Sequence, residues 1–336
     1  MPILPEPRGE VSAFLLGELQ GPVGRLAPAP VVRADDPLAD EDLQLALYCC
    51  YELHYRGFDG VDDGWEWEPS LLALRGELER EFEAAVRAVT PEQPATLPAE
   101  ESDSALRAIA EADESPSLSQ HLAREGTLDE LLEFLVHRSA YQLKEADPHS
   151  WALPRLSGAP KAALVEVQAD EYGGGGRPER IHAELFARSM SAMGLDAEYG
   201  AYLDRIPGPT LATVNLMSLF GLHRRLRGAI VGHLALFEMT SSIPNGRYAK
   251  ALRRLGHDGD ATDFFDEHVE ADAVHENIAA VDLAGGLIRQ DPALAADILF
   301  GAAALVELDG RWASWVLERW RAGASSLRAP AALATA

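Results

Sequence analysis

The sequence is poor in cysteine and in basic residues. Its two cysteines among 336 residues, Cys49 and Cys50, are neighbours. A disulfide framework and a structural zinc site built on thiolates are therefore excluded, and we interpret both as small buried residues in a reducing compartment. The 29 Lys+Arg are outnumbered by 54 Asp+Glu, which gives a formal net charge of -25. Nucleic acids and anionic membranes attract clustered Lys and Arg, so we expect neither as a partner.

Long hydrophobic runs are also missing. No stretch approaches the roughly 20 apolar residues of a membrane span. The N-terminus lacks the basic start and the apolar run of a secretory signal. We therefore expect a soluble, cytoplasmic protein. Hydrophobic residues make up 47% of the chain, which is enough to build a substantial core at this length.

Apolar residues recur at helical spacing along most of the chain, and strand signals are scarce, so the sequence predicts an all-α fold. Asp42–Tyr55 and Leu71–Val89 are predicted to form a helical hairpin around a turn rich in glycine and aspartate. An acidic stretch with several prolines follows. The predicted units are an N-terminal hairpin with an acidic linker (residues 1–115), a main helical domain (116–325) and a frayed tail (326–336).

Capping and turn residues divide the main domain into helices. Thr127 is predicted to cap its first long helix, with Asp129 and Glu130 in the first turn, where acidic side chains favour the helix dipole. Clusters of glycine, proline and asparagine, among them Pro244–Gly246, are predicted to separate the later helices. These are expected at residues 159–172, 178–193, 210–222, 229–241, 263–289 and 292–322.

The most informative segment contains His268, Asp272 and His275. Their spacing of i, i+4 and i+7 places all three on one face of a helix. Two imidazoles and a carboxylate in this arrangement can chelate one metal ion or two adjacent ions. The alternative is an ordinary solvated acidic face, because further acidic residues lie close by.

Other helices offer more ligands of the same kind. Glu179 and His182 stand one helical turn apart, and a carboxylate-x-x-His pair is the repeated unit of di-iron carboxylate bundles. Glu238 lies in an almost wholly apolar segment, where a carboxylate is costly to bury without a metal or an arginine partner. Glu171 precedes Gly173–Gly176, a run that we interpret as a tight break placing Glu171 beside His182.

A phosphate-binding loop is disfavoured at these glycines, because neither a preceding strand nor a Gly-Lys-Ser/Thr ending is present. Glu145, near the end of a long helix, is either a further ligand or an ordinary surface acid. Glu52 and His54 in the hairpin stand two residues apart, about 200° around a helix. We therefore predict that the hairpin packs outside the ligand helices and contributes no ligand.

Taken together, LKEADPHSW, VEVQADEYGGGG, IHAELF, FEMTSS and HVEADAVH resemble the haem-oxygenase-like di-iron oxidases and oxygenases, often described as iron-containing redox enzymes. The resemblance runs from about Leu128 to the end of the chain. It implies a helical bundle like that of haem oxygenase, with an N-terminal hairpin extension, no haem and two iron ions. The metal ligands that it implies are Glu145, Glu171, Glu179, His182, Glu238, His268, Asp272 and His275.

The resemblance also implies a chemistry. Two Fe(II) ions would react with O₂ as co-substrate to form a peroxo-di-iron(III) intermediate, with electrons from an external reductant or a reductase. We expect an oxygenase of specialised metabolism that N-oxygenates an amino acid or a small amine. This expectation rests mainly on Glu179, which resembles an extra catalytic carboxylate of the N-oxygenating branch. The alternative reaction is oxidative C–C cleavage, desaturation or decarboxylation of an amino acid or a fatty acid.

Two alternatives without iron chemistry remain open. The chain could be a helical partner-binding protein whose metal site has degenerated, with the N-terminal hairpin as an element that forms a homodimer. It could also be a metal-free, thiaminase-like relative, although this needs a nucleophilic cysteine in the pocket. Cys49 and Cys50 both lie in the hairpin, outside the segments that carry the resemblance.

Overall fold

The computed structural model describes residues 1–31 and 34–329, and of residues 272–274 it describes only the backbone. The described residues form no β-strand, and the predicted all-α fold is confirmed. A single antiparallel bridge joins Tyr172 and Ile181. The α-helices in chain order are α1 (Glu10–Leu19), α2 (Glu41–Glu52), α3 (Pro69–Val89), α4 (Ser102–Glu111), α5 (Leu118–Arg124), α6 (Leu128–Gln142), α7 (Asp147–Ser150), α8 (Gly158–Glu171), α9 (His182–Ala192), α10 (Gly208–Leu222), α11 (Arg227–Arg254), α12 (Asp263–Asn277), α13 (Gly286–Gln290) and α14 (Ala295–Arg321).

The centre of the bundle is α11, which packs along α14 on one side and along α12 on another. Two glycines allow the close approach to α14. A Cβ atom at Gly232 would lie 1.8 Å from the carbonyl oxygen of Ile298, and one at Gly301 would lie 1.9 Å from that of Ala229. The backbones of α11 and α14 therefore touch at positions where no larger side chain fits.

Local signals start several helices where the sequence predicts them. The side chain of Thr127 accepts a hydrogen bond from the backbone N–H of Glu130, and the side chain of Glu130 accepts one from the backbone N–H of Thr127. This capping box begins α6. The predicted hairpin helices correspond to α2 and α3, which contact each other. Helix α2 also packs on α10, which joins the N-terminal extension to the main body.

The predicted helix breaks are wrong at two places. Pro244 lies inside α11, which continues to Arg254 instead of ending near Ser241. Packing of α11 against α5, α12 and α14 outweighs the local cost of the proline. The predicted helix over 263–289 is interrupted by a π-helical segment, Ile278–Gly285, between α12 and α13. Such segments are rare and often occur near functional sites.

The C-terminal boundary also differs from the prediction. Ser326 is fully buried, and its hydroxyl donates a hydrogen bond to Glu133 at 2.6 Å, so fraying does not begin at this residue. Residues 330–336 of the predicted tail lie outside the described residues. Among the described helices, none combines the length and the apolar composition that crossing a membrane requires.

Candidate metal centre

Six of the predicted ligand residues converge in the interior of the bundle. They come from the turn after α6, the end of α8, the start of α9, the middle of α11 and one face of α12. All six are at most 5% exposed. Their ligand atoms form two groups, each with its atoms within 4.8 Å of one another, and both groups contain Glu171. The residues are Glu145, Glu171, His182 and His268 in the first group, and Glu171, Glu238 and His275 in the second.

The first group joins two carboxylates to two imidazoles. Nδ1 of His182 lies 2.9 Å from Oε2 of Glu171, and Nε2 of His268 lies 3.5 Å from Oε1 of Glu145. The rings of His182 and His268 stand with their centroids 4.5 Å apart. This arrangement presents two nitrogens and two carboxylate groups to one small volume.

The second group combines Glu171 with one further carboxylate, Glu238, and one imidazole, His275. Nδ1 of His275 lies 3.3 Å from Oε2 of Glu238. Because Glu171 belongs to both groups, it would be a shared ligand if each group held a metal ion.

Hydrogen bonds to the outer nitrogens orient two of the rings. Nδ1 of His268 lies 2.8 Å from the carbonyl oxygen of Phe264 and donates to it, so Nε2 is left as the acceptor nitrogen facing Glu145. Nε2 of His275 is 3.0 Å from Oδ2 of Asp170, which leaves Nδ1 facing Glu238. A carboxylate or carbonyl behind the imidazole is the usual arrangement around a metal-binding histidine.

Burial and neighbouring charge shift the titration of the second group. Burial raises the pKa of Glu238, and the charge of Glu171 raises it further, although His275 opposes both. Burial lowers the pKa of His275, but its contacts with Glu238 and Asp170 outweigh this and raise the pKa to about 9. Without a metal, His275 is therefore protonated at neutral pH, and a metal ion has to displace this proton.

The residues present fit a pair of metal ions. Oε2 of Glu145 is buried and has no hydrogen-bond partner in the described part of the chain. Neither Glu145 nor Glu238 forms an ion pair with a lysine or arginine among the described residues. Buried carboxylates without such partners are costly unless a cation binds them. Imidazole and carboxylate ligands projecting from facing helices suit iron.

One predicted ligand lies outside the cluster, and another lies outside the residues whose side chains are described. Glu179 is exposed, because Pro178–Arg180 forms a separate 3₁₀ turn and the helix begins only at His182. Its carbonyl oxygen accepts a hydrogen bond from Arg188. Glu179 therefore lies outside the cluster, and this geometry does not support its predicted role as a ligand and catalytic carboxylate. Asp272 lies outside the residues whose side chains are described.

The glycine run has the role that the sequence predicts. Gly173–Gly176 all have positive φ angles, and a Cβ at Gly173 would lie 2.2 Å from the carbonyl oxygen of Arg177. Only glycine adopts such a succession without strain. The turn brings the end of α8 beside the start of α9, and so places Glu171 next to His182.

Glu52 and His54 of the hairpin lie outside both groups of ligand residues. His54 contacts Glu66 at 3.1 Å. Glu52 is buried and binds Lys144 at 3.0 Å, so it supports the residue next to Glu145 rather than the cluster itself. The contacts of Asp170 and Lys144 cannot be predicted from local sequence patterns, because the partner of each lies far away along the chain.

Comparison with known proteins agrees with this geometry. The profile of a family described as iron-containing redox enzyme matches residues 132–310, which is more than half of the 336 residues. The chain belongs to this family. No curated protein matches the chain. Family membership identifies the protein as an oxidoreductase, and the buried His/Glu cluster within the matched region supports iron binding.

Proposed function

We propose that this iron-containing redox enzyme is a di-iron, O₂-dependent oxygenase acting on an amino acid or a small amine. One observation carries the proposal. Two buried groups of histidine and carboxylate ligands share Glu171, and together they offer more ligands than one ion needs. Glu145, Glu171, His182 and His268 would hold one iron, and Glu171, Glu238 and His275 the other.

Bound iron would supply the electrons that reduce and activate O₂, and an external reductant would restore them. The protein itself contributes orientation and exclusion of water. The hydrogen bond from His268 to the carbonyl of Phe264 fixes one ligand ring. Phe186 and Phe264 pack with their ring centroids 5.0 Å apart beside it. Both are at most 1% exposed, so this side of the centre is dry and protects a reactive oxidant.

We propose N-oxygenation as the reaction. Glu179 is exposed and lies outside the cluster, so its position does not support this reaction. The remaining support is electrostatic, since a centre rich in carboxylates favours a cationic amine over an anionic substrate. Oxidative C–C cleavage or desaturation is the competing outcome.

The test is to load the protein with Fe(II) without oxygen and then mix it with O₂ and a panel of amino acids and amines. We expect one substrate class to accelerate O₂ consumption and to gain one oxygen atom on nitrogen, as measured by mass spectrometry. Glu179→Gln is a matched surface control and should behave like the wild type. Loss of carbon or of two hydrogens would indicate the competing reaction, and O₂ uptake no faster than with free Fe(II) would contradict the proposal.

A further inference from the structure

A chamber of about 240 Å³ lies beside the candidate metal centre and shares Glu145 and His268 with it. This volume is below the roughly 300–1,000 Å³ of pockets that accept drug-sized ligands, so the chamber suits a small metabolite. Aromatic side chains make up about a third of the residues that line it. The rings are those of Phe134, Phe186, Phe237, Tyr248, Phe264, Phe265 and Trp312.

Polar groups of both charges interrupt this aromatic wall. Arg138 and Asp309 both line the chamber, and among the described residues neither forms a hydrogen bond or an ion pair in direct contact. Arg138 lies 5.7 Å from the ring centroid of Trp312, and its charge opposes the rise that burial causes in the pKa of Asp309. Gln142 also lines it, is only 6% exposed, and its Oε1 has no hydrogen-bond partner among the described residues. Leaving polar groups of this kind without hydrogen-bond partners inside a protein costs free energy. Their presence here favours a ligand that carries complementary groups.

The positions of these groups define an axis. Arg138, Gln142 and Glu145 stand at i, i+4 and i+7 along α6 and the turn that follows it, and all three line the chamber. At 1.5 Å per residue, Arg138 lies about 10 Å along the helix from Glu145. Asp309 reaches the same chamber from α14. Arg138 therefore lies at the end of the chamber away from the metal centre, and Asp309 is near enough to interact electrostatically with it.

We propose that the chamber binds an α-amino acid by its zwitterionic head and directs the side chain to the metal centre. Arg138 binds the carboxylate, for which its planar guanidinium is well suited. Asp309 and Oε1 of Gln142 accept hydrogen bonds from the α-ammonium group. Given the proposed function, on which this orientation rests, the oxidised atom belongs to the side chain and not to the α-amino group.

The approach to the chamber favours the same class of ligand. A groove of about 960 Å³ shares Asp113, Val306 and Trp312 with the chamber. The charged residues that line this groove are Asp36, Asp113, Glu114, Glu307, Arg311 and Glu318, so acids predominate. A negative rim attracts an ammonium group and repels a free fatty acid.

The experiment compares three ligands with the same aliphatic chain. L-Norleucine carries both head groups, hexanoate lacks the ammonium, and pentylamine lacks the carboxylate. Binding is measured by calorimetry on the full-length, Fe(II)-loaded protein without oxygen, so no turnover is needed. We expect L-norleucine to bind at least about tenfold more tightly than either analogue, because each charged head group adds charge-assisted hydrogen bonds.

Substitutions assign each head group to its partner. Arg138→Gln should weaken the binding of L-norleucine and hexanoate by about tenfold to a hundredfold and leave the affinity for pentylamine unchanged. Asp309→Asn should weaken the binding of L-norleucine and pentylamine and leave the affinity for hexanoate unchanged. Arg138→Lys keeps the charge but not the planar fork, so it should give an intermediate loss and also serves if Arg138→Gln is poorly folded.

Equal affinity for the three ligands, or a loss of the same size for all three in Arg138→Gln and Asp309→Asn, would overturn the binding mode. These results are separable from the proposed function. Selective binding of L-norleucine in a protein that does not consume O₂ would contradict the proposed function alone. Substrate-dependent O₂ consumption without this selectivity would contradict the binding mode alone.

Discussion

A buried ion pair connects the N-terminal extension to the turn that carries Glu145. Nζ of Lys144 lies 3.0 Å from Oε2 of Glu52, and the two side chains are 1% and 0% exposed. The hydroxyl of Tyr199 donates to the same oxygen at 2.6 Å. The Lys144 ammonium also lies 4.3 Å from the ring centroid of Tyr55. The pair is therefore desolvated and well coordinated on both sides.

Substituting only Lys144 should destabilise the folded protein. In Lys144→Met the carboxylate of Glu52 stays buried and loses its counter-charge, and breaking one partner of such a pair typically costs about 3–5 kcal/mol. Whole domains are stable by only about 5–15 kcal/mol, so the loss is a large fraction. In the double variant Lys144→Met with Glu52→Leu no charge remains, and we expect most of the stability to return.

The same substitution should also disturb the metal centre. Glu145 follows Lys144 directly, and Ala146 next to it is the one non-glycine residue with positive φ in the described chain, at 72°. The carbonyl oxygen of Ala146 accepts a hydrogen bond from Gln168 at 2.9 Å, which holds the turn on its other side. Loosening the turn should lower Fe(II) affinity by about tenfold or more, as for other residues that support metal ligands.

The assay is urea unfolding of the metal-free wild type, both single variants and the double variant, together with anaerobic Fe(II) titration of each. The double-mutant cycle isolates the coupling of the pair from the other effects of each substitution. Our reasoning fails if Lys144→Met loses less than about 1 kcal/mol, or if the double variant loses the sum of the two single losses.

Further predictions concern the site, acid stability and packing. His275→Ala should reduce bound Fe(II) and O₂ consumption with little change in the apo melting temperature, whereas Glu179→Gln should change neither, as iron analysis and calorimetry would show. Burial lowers the pKa of His137 to about 3, so the imidazole is neutral in the folded state and protonated below about pH 6.5 when unfolded. Stability should fall from pH 6.5 towards 3, and His137→Gln should flatten this slope in pH-dependent urea unfolding by up to about 1.4 kcal/mol per pH unit. Gly232→Ala would place a Cβ 1.8 Å from a backbone oxygen of α14 and should cost about 1–3 kcal/mol or more. Gly17→Ala, with open space around it, should cost nothing, and melting curves of both variants check this.

Local signals in the sequence account for the features that were predicted correctly. The capping pair Thr127 and Glu130 starts α6 where expected. The helical spacing of His268 and His275 places both in the cluster. Both inferences depend only on residues within two helical turns, so neighbouring residues suffice to make them.

The errors arise where tertiary contacts or local turn geometry decide. Pro244 is accommodated because α11 packs on three other helices, which the sequence does not indicate. Glu179 and His182 have helical spacing, but a 3₁₀ turn rotates Glu179 into solvent before α9 begins. The contact of Asp170 with His275 joins residues far apart in sequence, and a local pattern cannot reveal it.

The most direct test of the central claim is the amount of Fe(II) that the full-length protein binds without oxygen. The two ligand groups that share Glu171 predict two Fe(II) per chain, with a Mössbauer spectrum in which both ions change on exposure to O₂. In Glu171→Ala, the loss of the shared ligand should weaken both sites together. Saturation at a single iron in the wild type, or a Glu171→Ala variant that still binds two, would contradict the di-iron centre.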